Sequence, residues 1–212
     1  MGAEATTVKI PADSVELEGI LTLPKRAKGI VVFAHGAGSS RFSPRNILVA
    51  TVFHKHGIAT LLFDLLTEEE DSVYENRFNI DLLTERLMAV TTWLIKKPET
   101  KGLKIGYFGS STGSASALRA AAVLGKQISA IVSRGGRPDI TGKNITRVRT
   151  PTLFIVGGAD YGVIELNEQA YAQLNCKKEL KIVAGATHLF EESGALEEVA
   201  RLAADWFERY LD

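Results

Sequence analysis

The sequence predicts an α/β protein in which helices cover both faces of a mostly parallel sheet, a three-layer α/β/α sandwich. Uninterrupted apolar runs such as residues 29–34 are typical of strands buried on both faces of a parallel sheet. Between these runs, apolar residues recur at steps of three and four, which indicates helices. Strand and helix alternate about six times with no low-complexity segment or long linker. A single domain over residues 1–212 is therefore expected.

The first half of the chain contains two strand–helix repeats after an opening strand. The predicted elements are a strand at 15–23, a buried strand at 29–34, a helix from about 44 to 56, a strand at 58–63, and a helix with an apolar face of Ile80, Leu83, Leu87, Val90 and Leu94. Residues 64–78 are the only extended irregular stretch between elements. This stretch is too short for a cap domain, so the pocket is expected to be shallow and open.

The second half continues the alternation to the C-terminus. The predicted elements are strands at 103–108, 128–132, 152–156 and 180–183, a small-residue helix at 112–124, and a last helix with Leu196, Val199, Ala203, Trp206 and Tyr210 on one face. In open α/β sheets, ligands bind beyond the carboxyl ends of the strands. The residues that follow the strands are His35–Gly38, Asp64, Gly109–Gly113, Ser133–Arg137, Gly157–Asp160 and Gly185–His188. The candidate chemistry is therefore concentrated at one edge.

Composition excludes several classes of protein. The 25 basic and 25 acidic residues cancel, whereas nucleic-acid binders carry a basic surplus. A single cysteine excludes an internal disulfide framework and a cysteine-built zinc site. No apolar run approaches the roughly 18 residues of a membrane span. The N-terminus lacks a secretory pattern, so a cytoplasmic protein without nucleic-acid or membrane partners is expected.

Residues Gly109–Gly113 fit the motif G-x-S-x-G between a predicted strand and a predicted helix. A sharp strand-to-helix turn strains the central residue and needs small flanking residues, so this context favours Ser111 as a nucleophile. In isolation, the same pattern is also typical of a Ser/Gly turn that caps a helix. Ser110 is the weaker candidate, because no glycine lies two residues before it.

A serine hydroxyl needs an oriented base before it can act as a nucleophile. His188 follows the last strand, and Asp160 follows the strand at 152–156. Taken singly, His188 could be a core or capping histidine and Asp160 a turn or N-cap aspartate. Together they give the order Ser, Asp, His, with each residue at a strand's carboxyl end. This order predicts Ser111 as nucleophile, His188 as base and Asp160 as the acid that orients the imidazole.

Acyl transfer also requires hydrogen-bond donors for the developing oxyanion. One is expected on the residue after the nucleophile, which is the Thr112 N–H, and another in a loop after an early strand. The segment His35–Gly38 occupies that loop, and its predicted donor is the Ala37 N–H. His35 could be a second base or contact substrate, but a role in shaping the loop is preferred, since no acid lies near it in sequence.

These residues resemble the α/β-hydrolase superfamily from about Gly29 to Asp212, and most closely its dienelactone-hydrolase-like branch. The resemblance implies hydrolysis of an ester or related acyl bond without a cofactor, with Ser111, Asp160 and His188 as the triad. Dienelactone hydrolases proper use cysteine at the nucleophile position, where this chain has Ser111. This difference favours a serine esterase that acts on a small acyl substrate.

Other polar features have structural as well as functional interpretations. Arg134 and Arg137 follow a strand and could bind a substrate anion, or they could be surface arginines, one of them paired with Asp139. The acidic run at 68–71 is interpreted as a solvated face, and no metal site is predicted. Cys176 is expected to be inert.

The leading hypothesis is a serine hydrolase of a small ester or lactone that works through an acyl-enzyme. The alternatives are a non-catalytic small-molecule-binding module on a hydrolase fold, or a redesigned hydrolase altered near Ser110 and Ser111. Nucleotide binding at 106–113 is disfavoured, because the segment lacks both G-x-G-x-x-G spacing and a P-loop lysine.

Overall fold

A computed structural model describes residues 4–212 of the chain. Within that range the strands are β1 (Glu4–Ala12), β2 (Val15–Leu23), β3 (Gly29–Ala34), β4 (Ala59–Phe63), β5 (Lys104–Ser110), β6 (Ile128–Arg134), β7 (Thr152–Gly157) and β8 (Lys178–Val183). The α-helices are α1 (Pro44–Lys55), α2 (Glu68–Ser72), α3 (Ile80–Lys96), α4 (Thr112–Leu124), α5 (Tyr161–Gln173) and α6 (Ala195–Leu211). These elements confirm the predicted α/β class.

The strands form one eight-stranded sheet in the order β1-β2-β4-β3-β5-β6-β7-β8. The pairs β1–β2 and β2–β4 are antiparallel. The remaining neighbours, in the order β4-β3-β5-β6-β7-β8, are all parallel. Strands β3, β4 and β7 are buried along their whole length, which explains their unbroken apolar sequences. The parallel arrangement brings the carboxyl ends of β3, β5, β6 and β7 to one edge.

Helices cover the sheet on both faces and divide the apolar interior into two layers. Helices α3 and α4 pack on one face, where Leu87, Val90 and Leu118 are buried. Helices α1 and α6 pack on the other face, where Phe53 and Phe207 are buried. In residues 4–212, no helix is both long and apolar enough to cross a membrane.

The structure corrects two sequence predictions near the N-terminal half. The opening strand is β1 and not the strand at 15–23, because β1 precedes it and pairs with it from Glu4↔Leu23 to Ala12↔Val15. The stretch at 64–78 is not irregular throughout, since it contains α2 and a 3₁₀ turn at Tyr74–Phe78. Helix α5, between β7 and β8, was not individually predicted.

Candidate active site

Ser111 occupies the sharp turn between β5 and α4. Its backbone is held at φ 49° and ψ −121°, a left-handed conformation that is strained for a residue with a side chain. A Cβ at Gly113 would lie 2.0 Å from the backbone oxygen of Ala34, so only glycine allows α4 to approach the end of β3 this closely. The turn is therefore the strand–turn–helix geometry that the motif at 109–113 predicts.

His188 and Asp160 are joined by a direct hydrogen bond. The distance between His188 Nδ1 and Asp160 Oδ2 is 2.7 Å. Asp160 immediately precedes α5, yet its carboxylate makes no capping bond to that helix and is directed to the imidazole instead. A Cβ at Gly157 would lie 2.4 Å from the Ala186 oxygen, which shows how closely the two loops approach.

Ser111 and His188 line the same cleft at the carboxyl edge of the sheet. The cleft has a volume of about 200 Å³ and is lined by Gly36, Ala37, Ser39, Ser43, Arg45, Asn46, Ser110, Ser111, Arg134, His188 and Leu189. Within residues 4–212, no hydrogen bond joins Ser111 to His188. Catalytic hydrogen bonds are often long or absent before substrate binds, so this geometry is compatible with an unliganded site.

The two residues predicted to supply the oxyanion donors are joined by a hydrogen bond between the backbone of one and the side chain of the other. The Ala37 N–H donates to Thr112 Oγ1 at 2.9 Å, so the Thr112 hydroxyl fastens the loop after β3 to the start of α4. The Thr112 N–H belongs to the first turn of α4, where backbone donors lack intrahelical acceptors. The sequence therefore predicts both residues near Ser111, but the Ala37 donor is occupied in this structure.

His35 supports this loop and is not among the residues that line the cleft beside Ser111, so its contact with substrate stays a prediction. The ring is buried, with Nδ1 at 2.9 Å from the Gly36 oxygen. Its Nε2 accepts the Leu65 N–H at 3.1 Å. Burial holds the pKa of His35 below its usual value, so the neutral ring with its proton on Nδ1 satisfies both bonds.

The two arginines after β6 have different surroundings. Arg137 makes a bidentate ion pair with Asp139, at 2.8 and 2.7 Å, and is not among the residues that line the cleft. The pairing with Asp139 is the structural alternative considered for this residue, and its role in substrate binding stays a prediction. Arg134 does line the cleft, together with Arg45 from α1, which sequence reasoning missed. The available signal was that Arg45 lies just after the loop that follows β3.

The remaining polar candidates lie away from this cleft. His54 Nε2 is 2.7 Å from Thr60 Oγ1, and His56 Nδ1 is 2.8 Å from Glu208. Cys176 is half-buried, and burial raises the pKa of its thiol. Across the described residues, no group of three or more His, Cys, Asp or Glu side chains is arranged to hold a metal ion.

A second cavity, of about 410 Å³, is larger but has no candidate nucleophile in its lining. It is lined by Arg26, Lys28, Gly29, His56, Gly57, Ile58, Glu208, Leu211 and Asp212, near the amino end of β3. No serine or cysteine is present in that lining, and the imidazole of His56 is engaged by Glu208. The smaller cleft beside Ser111 is therefore the candidate active site.

The sheet order, the turn at Ser111 and the acid–imidazole pair at one edge define the α/β-hydrolase class. A profile of the Dienelactone hydrolase family matches residues 17–212. The chain therefore belongs to the dienelactone hydrolase family.

Solved structures agree with this assignment. The chain is 50% identical to a dienelactone hydrolase from Anabaena variabilis, with a TM-score of 0.98 over 100% of both chains. It also matches Est1E from Butyrivibrio proteoclasticus, with a TM-score of 0.81 and 18% identity over 96% of this chain and 98% of Est1E. At that level of identity, the likeness to Est1E concerns the fold alone.

A longer relative is known from Mycobacterium tuberculosis (strain H37Rv). It carries the provisional name phosphoribosyl transferase and is 54% identical over 204 residues. The match covers 96% of this chain but 46% of the relative. The chain therefore spans about half the length of this curated protein.

Proposed function

We propose that this chain is a serine hydrolase that cleaves a small carboxylic ester or lactone through an acyl-enzyme on Ser111. The observation that carries the proposal is the 2.7 Å bond between His188 and Asp160, together with the position of His188 in the same cleft as the strained turn of Ser111. An imidazole fixed through Nδ1 presents Nε2 as a base, which is what a serine nucleophile requires. The fold and family are consistent with this chemistry.

In the acylation step, the Ser111 hydroxyl attacks the substrate carbonyl carbon and its proton passes to His188. The resulting C–O bond replaces the bond to the leaving alkoxide, which takes up the proton that His188 returns. An ester releases this alcohol, whereas a lactone keeps it attached to the acyl chain. Water then repeats the sequence, releasing the acid and restoring the Ser111 hydroxyl. Asp160 stabilises the imidazolium that forms in each half-reaction.

The oxyanion hole is proposed to consist of the Ala37 and Thr112 N–H groups. Substrate binding would release the Ala37 N–H from Thr112 Oγ1, because the developing oxyanion is the stronger acceptor. Loss of one such donor typically costs about 2.7–4 kcal/mol of transition-state stabilisation. The proposed mechanism uses no cofactor.

The cleft favours small substrates. Its volume of about 200 Å³ is below the roughly 300–1,000 Å³ of pockets that enclose drug-sized ligands. A short activated ester or a lactone is therefore the proposed partner. The transferase name of the longer relative does not supply a substrate, because more than half of that protein lies outside the match.

Labelling with a fluorophosphonate tests the nucleophile. The probe should modify the wild-type protein, with fluoride as leaving group, and Ser111→Ala should abolish both labelling and ester turnover. Ser14→Ala, at an exposed serine in the β1–β2 turn, serves as the matched control and should be labelled like the wild type. Labelling that persists in Ser111→Ala would show that the nucleophile is another residue.

A non-catalytic binding module gives a different result in the same assay. It would remain unlabelled and would show no turnover, while a ligand would still raise its melting temperature. Cys176→Ala controls for thiol chemistry, since Cys176 is the chain's single cysteine.

A further inference from the structure

Arg134 is a buried guanidinium with little to balance its charge. The residue is 6% exposed, and its Nη2 donates to Ser110 Oγ at 3.0 Å. Its Cζ lies 5.8 Å from the centroid of the Phe190 ring. Within residues 4–212, Nε has no hydrogen-bond partner and no carboxylate forms an ion pair with this side chain. A hydroxyl and a ring face compensate only part of the cost of burying a charge.

Arg86 shows how this fold treats a buried arginine that serves stability. It is 7% exposed, with Nη2 at 2.6 Å from Glu70 and Nη1 at 2.9 Å from the Ala12 oxygen. A full charge and a carbonyl therefore compensate Arg86, and its Nε, like that of Arg134, has no hydrogen-bond partner within residues 4–212, so the carboxylate is what distinguishes the two. Arg134 is buried to the same extent without a carboxylate, so its surroundings are those of a group that receives its counter-charge from a ligand.

Arg45 adds a second positive charge to the same cleft. It lies in the first turn of α1, where the helix dipole already favours anions and where α1 has no acidic residue. Its partner Glu191 is exposed, and exposed ion pairs contribute little. Burial, together with the charge of Arg45, lowers the pKa of Arg134 to about 10, which leaves it protonated at neutral pH.

The residues that line the cleft carry an excess of positive charge. It contains two arginines and no aspartate or glutamate. The backbone at Phe190 is held at φ 57°, a strained conformation for a residue with a side chain. In this conformation the Phe190 ring lies next to the Arg134 guanidinium.

We propose that Arg134 and Arg45 bind a phosphate group carried by the substrate that Ser111 attacks. This inference rests on the proposed function and specifies its substrate class. Two guanidinium groups from different elements, next to the positive end of α1, suit a dianion whose oxygens point in several directions. A carboxylate offers two oxygens in one plane and a single charge, whereas a phosphate offers a third oxygen and a second charge to match the second guanidinium.

Three p-nitrophenyl esters that differ in one terminal group test the proposal. Butyrate ends in a methyl group, succinate in a carboxylate and β-phosphonopropanoate in a phosphonate, giving charges of about zero, minus one and minus two when the phosphonate is fully ionised. For the wild-type protein, kcat/KM should rise along this series, by at least about tenfold from first to last. A flat series, or a preference for succinate, would overturn the phosphate assignment.

Substitutions then assign the preference to its residues. Arg134→Gln should lower the ratio of kcat/KM for the phosphonate over the butyrate ester by about tenfold or more, and Arg45→Gln should lower it as well. Arg201→Gln removes one charge from the exposed face of α6 and should leave the ratio unchanged. An unchanged ratio in Arg134→Gln would refute the proposal.

A measurement on the wild-type protein covers the case in which Arg134→Gln does not fold. Inorganic phosphate should compete with the butyrate ester, and chloride at equal ionic strength should not. Calorimetric binding of inorganic phosphate needs no turnover. Phosphate binding without hydrolysis of any ester would refute the proposed function alone, whereas hydrolysis without phosphate binding would refute the subsite alone.

Discussion

At the scale of single residues, the proposed mechanism depends on the bond between Asp160 and His188, which would leave the Nε2 of the imidazole available to Ser111. Asp160 is mostly buried, while the His188 side chain is 39% exposed and reaches the cleft. The carboxylate can therefore hold the ring while its other nitrogen meets substrate. This division of roles requires a charged acceptor at residue 160, because an amide can also donate and so select the wrong tautomer.

Replacing this acceptor should reduce catalysis without unfolding the protein. Asp160→Asn is expected to lower kcat for a p-nitrophenyl ester on the order of 10⁴-fold, the effect of the same change in a serine protease triad. Steady-state kinetics measures the loss, and thermal unfolding checks the fold. Asp205→Asn, on the exposed face of α6, is the matched control. A decrease in kcat smaller than tenfold would remove Asp160 from the mechanism.

The sequence predicts positions of residues along strands better than contacts between their side chains. Ser111, Asp160 and His188 could be selected because each follows a strand in the expected order. The bond from Ala37 to Thr112 Oγ1 joins residues 75 positions apart and depends on a rotamer, so no pattern predicts it. The same holds for Arg45, whose approach to Arg134 depends on how α1 packs against the sheet.

At the scale of elements, the turn from β5 into α4 depends on a close approach of backbone to backbone. Gly113→Ala should destabilise the protein by about 1–3 kcal/mol, because its Cβ would lie 2.0 Å from the Ala34 oxygen. Gly162→Ala, in α5, has no heavy atom within 4 Å of its Cβ and should stabilise by about 0.4–1 kcal/mol. Urea denaturation measures both. Equal effects would show that the close approach does not constrain the turn.

Glu70 in helix α2 should make the stability of the fold depend on pH. Burial tends to raise the pKa of Glu70, but hydrogen bonds from Thr67 and Arg86 outweigh it and hold the pKa below the usual 4.5. A carboxyl group with a depressed pKa stabilises the folded state above its unfolded pKa, and that contribution is lost as the pH falls through the folded value. Stability should therefore decline as the pH falls below about 4.5.

Glu70→Gln tests this contribution. The variant should be less stable than the wild type near neutral pH, and the two melting temperatures should converge as the pH falls below 4.5. Glu69→Gln is the matched control, since Glu69 is exposed in the same helix and its carboxylate has no partner within residues 4–212. A constant difference between wild type and Glu70→Gln at all pH values would contradict this account.

Two of the elements that sequence reasoning missed, β1 and α5, have weak patterns for physical reasons. Strand β1 lies at the sheet edge, with buried residues alternating only from Val8 to Ala12, and it contains Pro11, which disfavours a strand assignment. Helix α5 buries only Asn167 and Ala170 among its 13 residues, so it shows little apolar periodicity. Strands buried on both faces carry the strongest signal, and β3, β5 and β7 lead into the Ala37 loop, the Ser111 turn and Asp160, whereas β8, which precedes His188, is mostly not buried.

At the scale of the whole molecule, an aromatic cluster joins four elements of the fold. Phe53 of α1 lies 5.8 Å from Phe33, 6.0 Å from Phe108 and 5.4 Å from Phe207, measured between ring centroids. These partners belong to β3, β5 and α6, so the cluster ties α1 and α6 to the two strands that lead into the Ala37 loop and the Ser111 turn. The cluster therefore links global stability to the geometry of the site.

Removing the central ring should destabilise the whole fold. Phe53→Ala is expected to cost about 3–5 kcal/mol, because Phe53 is fully buried. Phe42→Ala, at a phenylalanine that is 57% exposed, should change the free energy of unfolding by less than about 0.5 kcal/mol. Chemical denaturation compares the two. Similar losses for both variants would show that the cluster is not a centre of stability.

The central claim is that hydrolysis proceeds through an ester bond on Ser111, and trapping that intermediate tests it most directly. Mixing the enzyme with p-nitrophenyl butyrate and quenching in acid should give a burst of nitrophenol close to one per active site. The peptide that contains Ser111 should then carry a butyryl group, which mass spectrometry would locate. Turnover with no acyl group on Ser111, or with the acyl group on another residue, would contradict the account.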